Sequence, residues 1–256
     1  MKHKVETVTE QLTDMIKTWH SVDAITLADS ADIDILDPYF FLSLDVYYKG
    51  GISDPEHRRK VFVNAIAFES SQVSNKDRFL INDLPVRIEY KDMDVIDDSI
   101  KRCEAYLRVF KRTGTYMYYR LEKGHVLFQK SPWLDETRKK LSNMPEHFWK
   151  ILRSSFQSTM AHCLGDLEAA DMRGDNFFYL ISSAFFIKSL CSLVFTINRR
   201  FEPSGRKCHD MILSLPQLPE NFRGRFESIL RQDDVLSPSR RREVAELLAK
   251  SLIAMK

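Results

Sequence analysis

With 256 residues, 44% of them hydrophobic and 29% charged, the chain can bury a sizeable core without needing metals or disulfides to hold it together. Its 38 basic and 36 acidic residues nearly cancel to +2, which removes any charge-based argument for a nucleic-acid or membrane partner. Only 8 glycines and 9 prolines are present, which disfavours turn-rich all-β architectures and makes helices the main expectation.

Val5, Val8, Leu12, Met15, Ile16 and Trp19 recur at three- and four-residue steps and predict an amphipathic helix over 4–19. Residues 24–27 read as a short buried strand and 42–48 as a second one. In the second, Leu42, Leu44, Val46 and Tyr48 point one way while Ser43, Asp45 and Tyr47 point the other. Asp54-Pro55-Glu56 is a strong helix start, predicting a helix to about 68. Residues 79–90 predict a strand pair broken at Asn82-Asp83. Ile96, Ile100, Cys103, Leu107 and Phe110 predict a helix over 95–111 that Gly114 closes or soon follows, and 125–129 a last strand.

From 131 onward strand patterns disappear. Pro132 opens a charged helix, and Asn143-Met144-Pro145 is the best boundary in the chain. Helices are then predicted over 146–167, 175–198, 220–230 and from Ser237-Pro238 to about 254. The run 177–197 is apolar enough to suggest a membrane span, but Lys188 at its centre and four serines favour a buried central helix. The first residues, MKHKVETVTEQL, lack the apolar core of a secretory signal. Cys103, Cys163, Cys191 and Cys208 show no zinc spacing and read as free thiols of a cytoplasmic protein.

This element order, with an acid on each of two strands, resembles the DNA polymerase β-like nucleotidyltransferase superfamily, in particular its small bacterial members with a helical bundle after the catalytic domain. The resemblance implies an α+β chain: a nucleotidyltransferase-like mixed sheet flanked by helices over 1–143, then an all-α helical bundle over 144–256. In that family a strand ends in a small-residue turn, a following strand presents two carboxylates one residue apart, and a third acid comes from a later strand. Carboxylates at i and i+2 share one strand face, where they can hold magnesium against a bound triphosphate.

The family's turn maps onto Ala28-Asp29-Ser30, its paired-acid strand onto Ser43 and Asp45, and its third acid onto Glu89. The resemblance thus makes Asp45 and Glu89 catalytic and metal ligands, with Asp29, Ser30 and Ser43 beside the nucleotide. Two departures stand out. Ala28-Asp29 replaces the glycines that let backbone amides reach a phosphate, and Ser43 stands where the first carboxylate belongs. A second registration places the acid pair on Asp32 and Asp34, with the turn at Trp19-His20-Ser21. The segment NRRFEPSGRK, 198–207, is similar to one that follows the same bundle helix in relatives, where basic residues face the nucleotide; here these include Arg206 and Lys207. The function implied is binding of a nucleoside triphosphate with magnesium in an interdomain cleft, with nucleotidyl transfer to a hydroxyl acceptor. The missing carboxylate leaves a catalytically inactive binding or regulatory module equally open.

Overall fold

In a computed structural model of the chain, residues 2–28, 35–71, 75–231 and 237–255 are described. They form two units, 1–103 with 120–143, and 104–119 with 144–256. One cut falls between Asn143 and Met144, and residues 104–119 join the helical unit.

The first unit is organised by helix α1 (Lys2–Ile16) and strands β1 (Val22–Leu27) and β2 (Leu42–Tyr48). The four-residue step Val8, Leu12, Ile16 puts three buried side chains on one face of α1, against Leu42, Leu44 and Val46 of β2. The alternation predicted for β2 is present, yet every residue of it is buried. Its second face, Ser43, Asp45 and Tyr47, is covered as completely as its apolar one.

Helix α2 (Pro55–Val61) begins as its sequence dictates: the Asp54 carboxylate accepts from the His57 amide and Pro55 occupies the first turn. It stops seven residues short of the predicted end. The chain turns at Phe62 (φ −84°, ψ 63°) and enters strand β3 (Ile66–Ser71), so residues read as helix are strand. Strands β4 (Lys76–Ile81) and β5 (Leu84–Asp92) follow, joined at Asn82 and Asp83. Both turn residues have positive φ, 50° and 61°, as a two-residue hairpin requires.

Helix α3 (Met93–Lys101) is capped by Asp92, whose side chain accepts from the Asp94 amide. The single helix predicted over 95–111 is broken: a 3-10 turn over Cys103–Tyr106 separates α3 from α4 (Leu107–Thr113). Gly114 then reverses the chain at φ 64° into α5 (Tyr116–Lys123), which sequence patterning did not separate from its surroundings. Strand β6 (His125–Gln129) and helix α6 (Trp133–Ser142) complete the first unit. The sheet has the order β3-β4-β5-β2-β1-β6. Strands β2 and β5 pair in parallel, and the remaining neighbours pair antiparallel.

In the second unit, α7 (Glu146–Arg173) ends at Gly174 in the left-handed conformation and packs along α8 (Asn176–Ile197). Helix α8 is long and apolar enough to cross a membrane by length and composition, and much of its most apolar stretch is buried within the fold. Two of its hydroxyls bond within the helix: Ser189 donates to the Phe185 carbonyl and Thr196 to the Ser192 carbonyl. Helix α9 (Gly205–Leu213), absent from the pattern reading, precedes α10 (Phe222–Leu230) and α11 (Pro238–Ala254), the last capped by Ser237.

Candidate functional site

Parallel pairing of β2 with β5 sets Asp45 beside Glu89 and Ser43 beside Arg87. Because side chains alternate along a strand, Ser43, Asp45 and Tyr47 share a sheet face with Arg87, Glu89 and Lys91. This is the face turned away from α1. Asp45 and Glu89 therefore stand together where the sequence mapping put them, and Ser43 stands one pleat along from Asp45.

What covers them was not foreseen. Arg120 of α5, only 1% exposed at its side chain, lies across the pair. Its Nε donates to Asp45 Oδ2 at 2.7 Å, its Nη2 lies 2.6 Å from Asp45 Oδ1, and Nη2 also donates to Ser43 Oγ at 2.9 Å. Its Nη1 lies 3.2 Å from Glu89 Oε1. Lys91 Nζ donates to Asp45 Oδ2 at 2.8 Å, and the Tyr47 hydroxyl reaches the same oxygen at 3.4 Å. Lys76 Nζ and Arg87 Nε sit 3.1 and 3.5 Å from Glu89 Oε1. The Arg87 guanidinium also stacks on the Phe41 ring at 4.0 Å.

Local sequence explains how Arg120 reaches this position. Gly124, just past the end of α5, brings the chain so close to β1 that an added Cβ would meet Thr26 Oγ1 and the Arg120 carbonyl at 2.8 Å. Thr26 is the β1 partner of Asp45. Arg138 of α6 then donates to the carbonyls of Leu121 and Gly124, satisfying the end of α5. Tyr47 packs its ring on Trp133 of α6 with centroids 5.5 Å apart, closing the face beside the carboxylate.

The charges act on one another strongly. Burial works against ionisation of Glu89, but Arg120 first, then Lys91, Lys76 and Arg87, hold its carboxyl down at about 2. Burial lowers Lys91 below the ordinary lysine range, against the opposing pull of Asp45. Burial, with the Asp45 charge adding to it, pushes the Tyr47 hydroxyl well above the ordinary tyrosine range.

The magnesium implied by the resemblance can be tested against this donor set. A divalent ion needs carboxylate oxygens with free lone pairs. Arg120 and Lys91 already engage both Asp45 oxygens, and Ser43 Oγ contributes no charge and accepts from the same guanidinium. Four cationic side chains surround two carboxylates, so a further +2 charge would be repelled at short range. The arrangement does not fit a divalent metal. No cluster of three or more His, Cys, Asp or Glu side chains suited to a metal is found among the described residues.

Asp29 and Ser30 lie outside the described residues, as do Asp32 and Asp34 of the second registration. Arg206 and Lys207 stand in the first turn of α9, in the helical unit. That unit has its own polar centre at Glu202, in the same segment. Glu202 accepts from Ser192 Oγ at 2.9 Å and from the Thr115 amide at 3.2 Å, while its own amide donates to Thr115 Oγ1 at 2.9 Å. Its carboxylate fits against Gly114, where a Cβ would come within 2.4 Å of Oε2. Burial raises this carboxyl to about 7, despite the Ser192 and Thr115 donors.

Of the residues around Asp45, Lys91 was within reach of sequence reasoning, since it continues the Arg87, Glu89 alternation. Arg120 carried a weaker signal: a lone arginine within the aromatic run Tyr116, Tyr118, Tyr119.

A family model described as a domain of unknown function, DUF4037, matches residues 110–207, less than half of the chain. It includes Arg120 and Glu202 but neither β2 nor β5. No curated protein matches the sequence. A crystal structure of a nucleotidyltransferase-like protein from Exiguobacterium sibiricum 255-15 is similar with a TM-score of 0.52 and 15% identity, over 96% of this chain and 74% of that one. That likeness, with the mixed sheet and helical C-terminal region, establishes a nucleotidyltransferase-like α+β fold.

Proposed function

We propose that this chain is a binding or regulatory module on a nucleotidyltransferase-like fold, in which Arg120 and Lys91 stand in place of magnesium and no nucleotidyl group is transferred. One observation carries this reading: a buried guanidinium contacts Asp45, Ser43 and Glu89 together, at the positions where a metal-dependent transferase would need open carboxylates. A fixed cation of this kind neutralises the two acids permanently. It holds the sheet face in one arrangement and cannot activate an acceptor hydroxyl. The ligand chemistry in keeping with the fold is a nucleoside triphosphate bound without metal.

A second reading is favoured by the retained geometry itself. Asp45 and Glu89 are in register on adjacent strands, so withdrawal of Arg120 would leave a two-carboxylate site for magnesium and nucleotidyl transfer. Calorimetric titration of ATP, GTP, CTP and UTP, with and without magnesium or manganese, separates the two. The module predicts that metal leaves the heats unchanged and that no pyrophosphate is released. Magnesium-dependent binding abolished by Asp45→Ala would overturn it in favour of the enzyme.

A further inference from the structure

Helix α8 is apolar nearly all round, and a helix of that kind has to be surrounded. Its C-terminal half meets this requirement, since 189–197 are buried throughout. Its N-terminal half does not: Phe177, Leu180 and Phe185 are 76%, 69% and 57% exposed. Along this half Asn176, Tyr179, Leu180, Ser183, Ala184 and Ile187 recur at three- and four-residue steps and line one cavity of about 460 Å³. Helices α10 and α11 supply further walls, and every lining residue belongs to the helical unit. We propose that this cavity binds a free aliphatic carboxylate, its chain among the apolar side chains and its head group on Arg231 and Arg241.

Size and lining both suit such a guest. Small-molecule sites are typically concave, about 300–1,000 Å³, and mostly apolar with a few polar groups that fix orientation. Here Leu167, Phe186 and Ala245 line the cavity while no more than 2% exposed themselves, so its inner surface is hydrocarbon. Ile229 and Leu230 of α10 extend that surface towards Arg231, which is exposed. A chain entering the cavity would cover apolar surface of α8 that the fold leaves wet.

The sign of the head group follows from the charges. Arg231 and Arg241 line the cavity, and no acid does among the described residues. The other arginines at the start of α11 turn to acids instead: Arg240 pairs with Glu243 at 2.8 Å and Arg242 with Asp171 at 3.3 Å. Arg241 stands in the first turn of α11, where the helix dipole adds to its positive charge, so both favour an anion there. The Tyr179 hydroxyl donates to the carbonyl of Pro238 at 2.8 Å, fastening α8 to this end of α11. A carboxylate matches a guanidinium through two parallel hydrogen bonds. A cationic amphiphile would be repelled by both arginines, and a neutral one would gain nothing from their charge. This inference is independent of the binding-module reading, since no residue of the sheet takes part.

The test titrates the full chain with dodecanoate, dodecanol and dodecylammonium, each below its micelle concentration, by calorimetry at several temperatures. Dodecanoate should bind once per chain with a negative heat-capacity change, dodecanol about tenfold more weakly, and dodecylammonium not at all. Arg231→Ala, at an exposed position, should weaken dodecanoate about fivefold and leave dodecanol unchanged. Ile187→Trp, which fills the cavity from α8, should abolish binding of both. The proposal is overturned if dodecanoate does not bind, if the three probes bind alike, or if folded Ile187→Trp binds as the wild type does. It is overturned too if a second copy covers the stripe, in a dimer that Leu180→Asp dissociates on sedimentation. The three probes on the wild type decide the matter even if Ile187→Trp fails to fold.

Discussion

Replacing Arg120 by methionine takes the cation from Asp45 while keeping an unbranched side chain of similar length. Asp45 is wholly buried, and the substitution removes contacts at 2.7 and 2.6 Å while leaving Lys91 at 2.8 Å. Removing one partner of a buried ion pair costs about 3–5 kcal/mol, because the other charge is left uncompensated. Lys91 remains, so the lower end, about 3 kcal/mol, is expected for Arg120→Met. Asp45→Asn should cost about as much, since it leaves two buried cations facing Glu89 alone. The double variant removes both mismatched charges and should lose less than the two singles together, by about 2 kcal/mol. Urea unfolding of all four proteins, followed by circular dichroism and tryptophan fluorescence, measures the coupling. The reasoning is refuted if Arg120→Met costs under about 1 kcal/mol, or if the singles add in the double to within about 0.5 kcal/mol.

Two carboxylates should give opposite pH dependences. Glu89, held at about 2 rather than 4.5 with burial opposing and Arg120 leading the cations that lower it, contributes stability that is complete above pH 4.5 and lost as pH falls towards 2. At about 1.4 kcal/mol per pH unit this reaches about 3 kcal/mol, and acid unfolding curves should show a shallower limb in Arg120→Met. Glu202, raised to about 7 by burial, contributes stability that is complete below pH 4.5 and lost as pH rises through 7. Between pH 4.5 and 8 the wild type should lose about 3 kcal/mol relative to Glu202→Gln, whose amide can still accept from Thr115 and donate to Ser192; parallel profiles would sink the assignment. Gly124→Ala must push α5 from β1 against contacts at 2.8 Å. It should cost about 1–3 kcal/mol in thermal melts, and a neutral result would mean that the approach of α5 to β1 does not depend on the missing side chain.

The two-residue alternation of β2 was legible because strand geometry writes it locally: Ser43 and Asp45 share a face whatever the fold around them. The pairing of Asp45 with Glu89 was legible only through family resemblance, since a parallel neighbour leaves no local mark. Arg120 was not legible, because its partner lies 75 positions away and nothing in the intervening sequence specifies the approach. The helix predicted to 68 failed because Phe62 and Ile66 continue a four-residue step, while the chain turns at Phe62 and pairs with β4 from Ile66, with Ala67 at φ 51° where the register shifts. The break at Cys103 was hidden in the same way, by an apolar period that runs on across a 3-10 turn. At Glu202 the sequence offered only an acid in a basic segment. Its partners include Thr115, which joins the helical unit from far upstream.

The interleaving of the two units has a consequence during synthesis. Strands β2 and β5 leave the ribosome well before α5, and the stretch just ahead of Arg120 belongs to the other unit. At about 5–20 residues per second, the 29 positions between Lys91 and Arg120 amount to roughly 1.5–6 seconds in which the β2–β5 part of the nascent sheet exists without its guanidinium. During that interval Asp45 cannot be buried except beside Lys91, so its face of the sheet stays wet until α5 arrives. Closure of this face is therefore a late event on the ribosome, and a nascent chain stalled before residue 120 should present the sheet to chaperones as an unfinished surface.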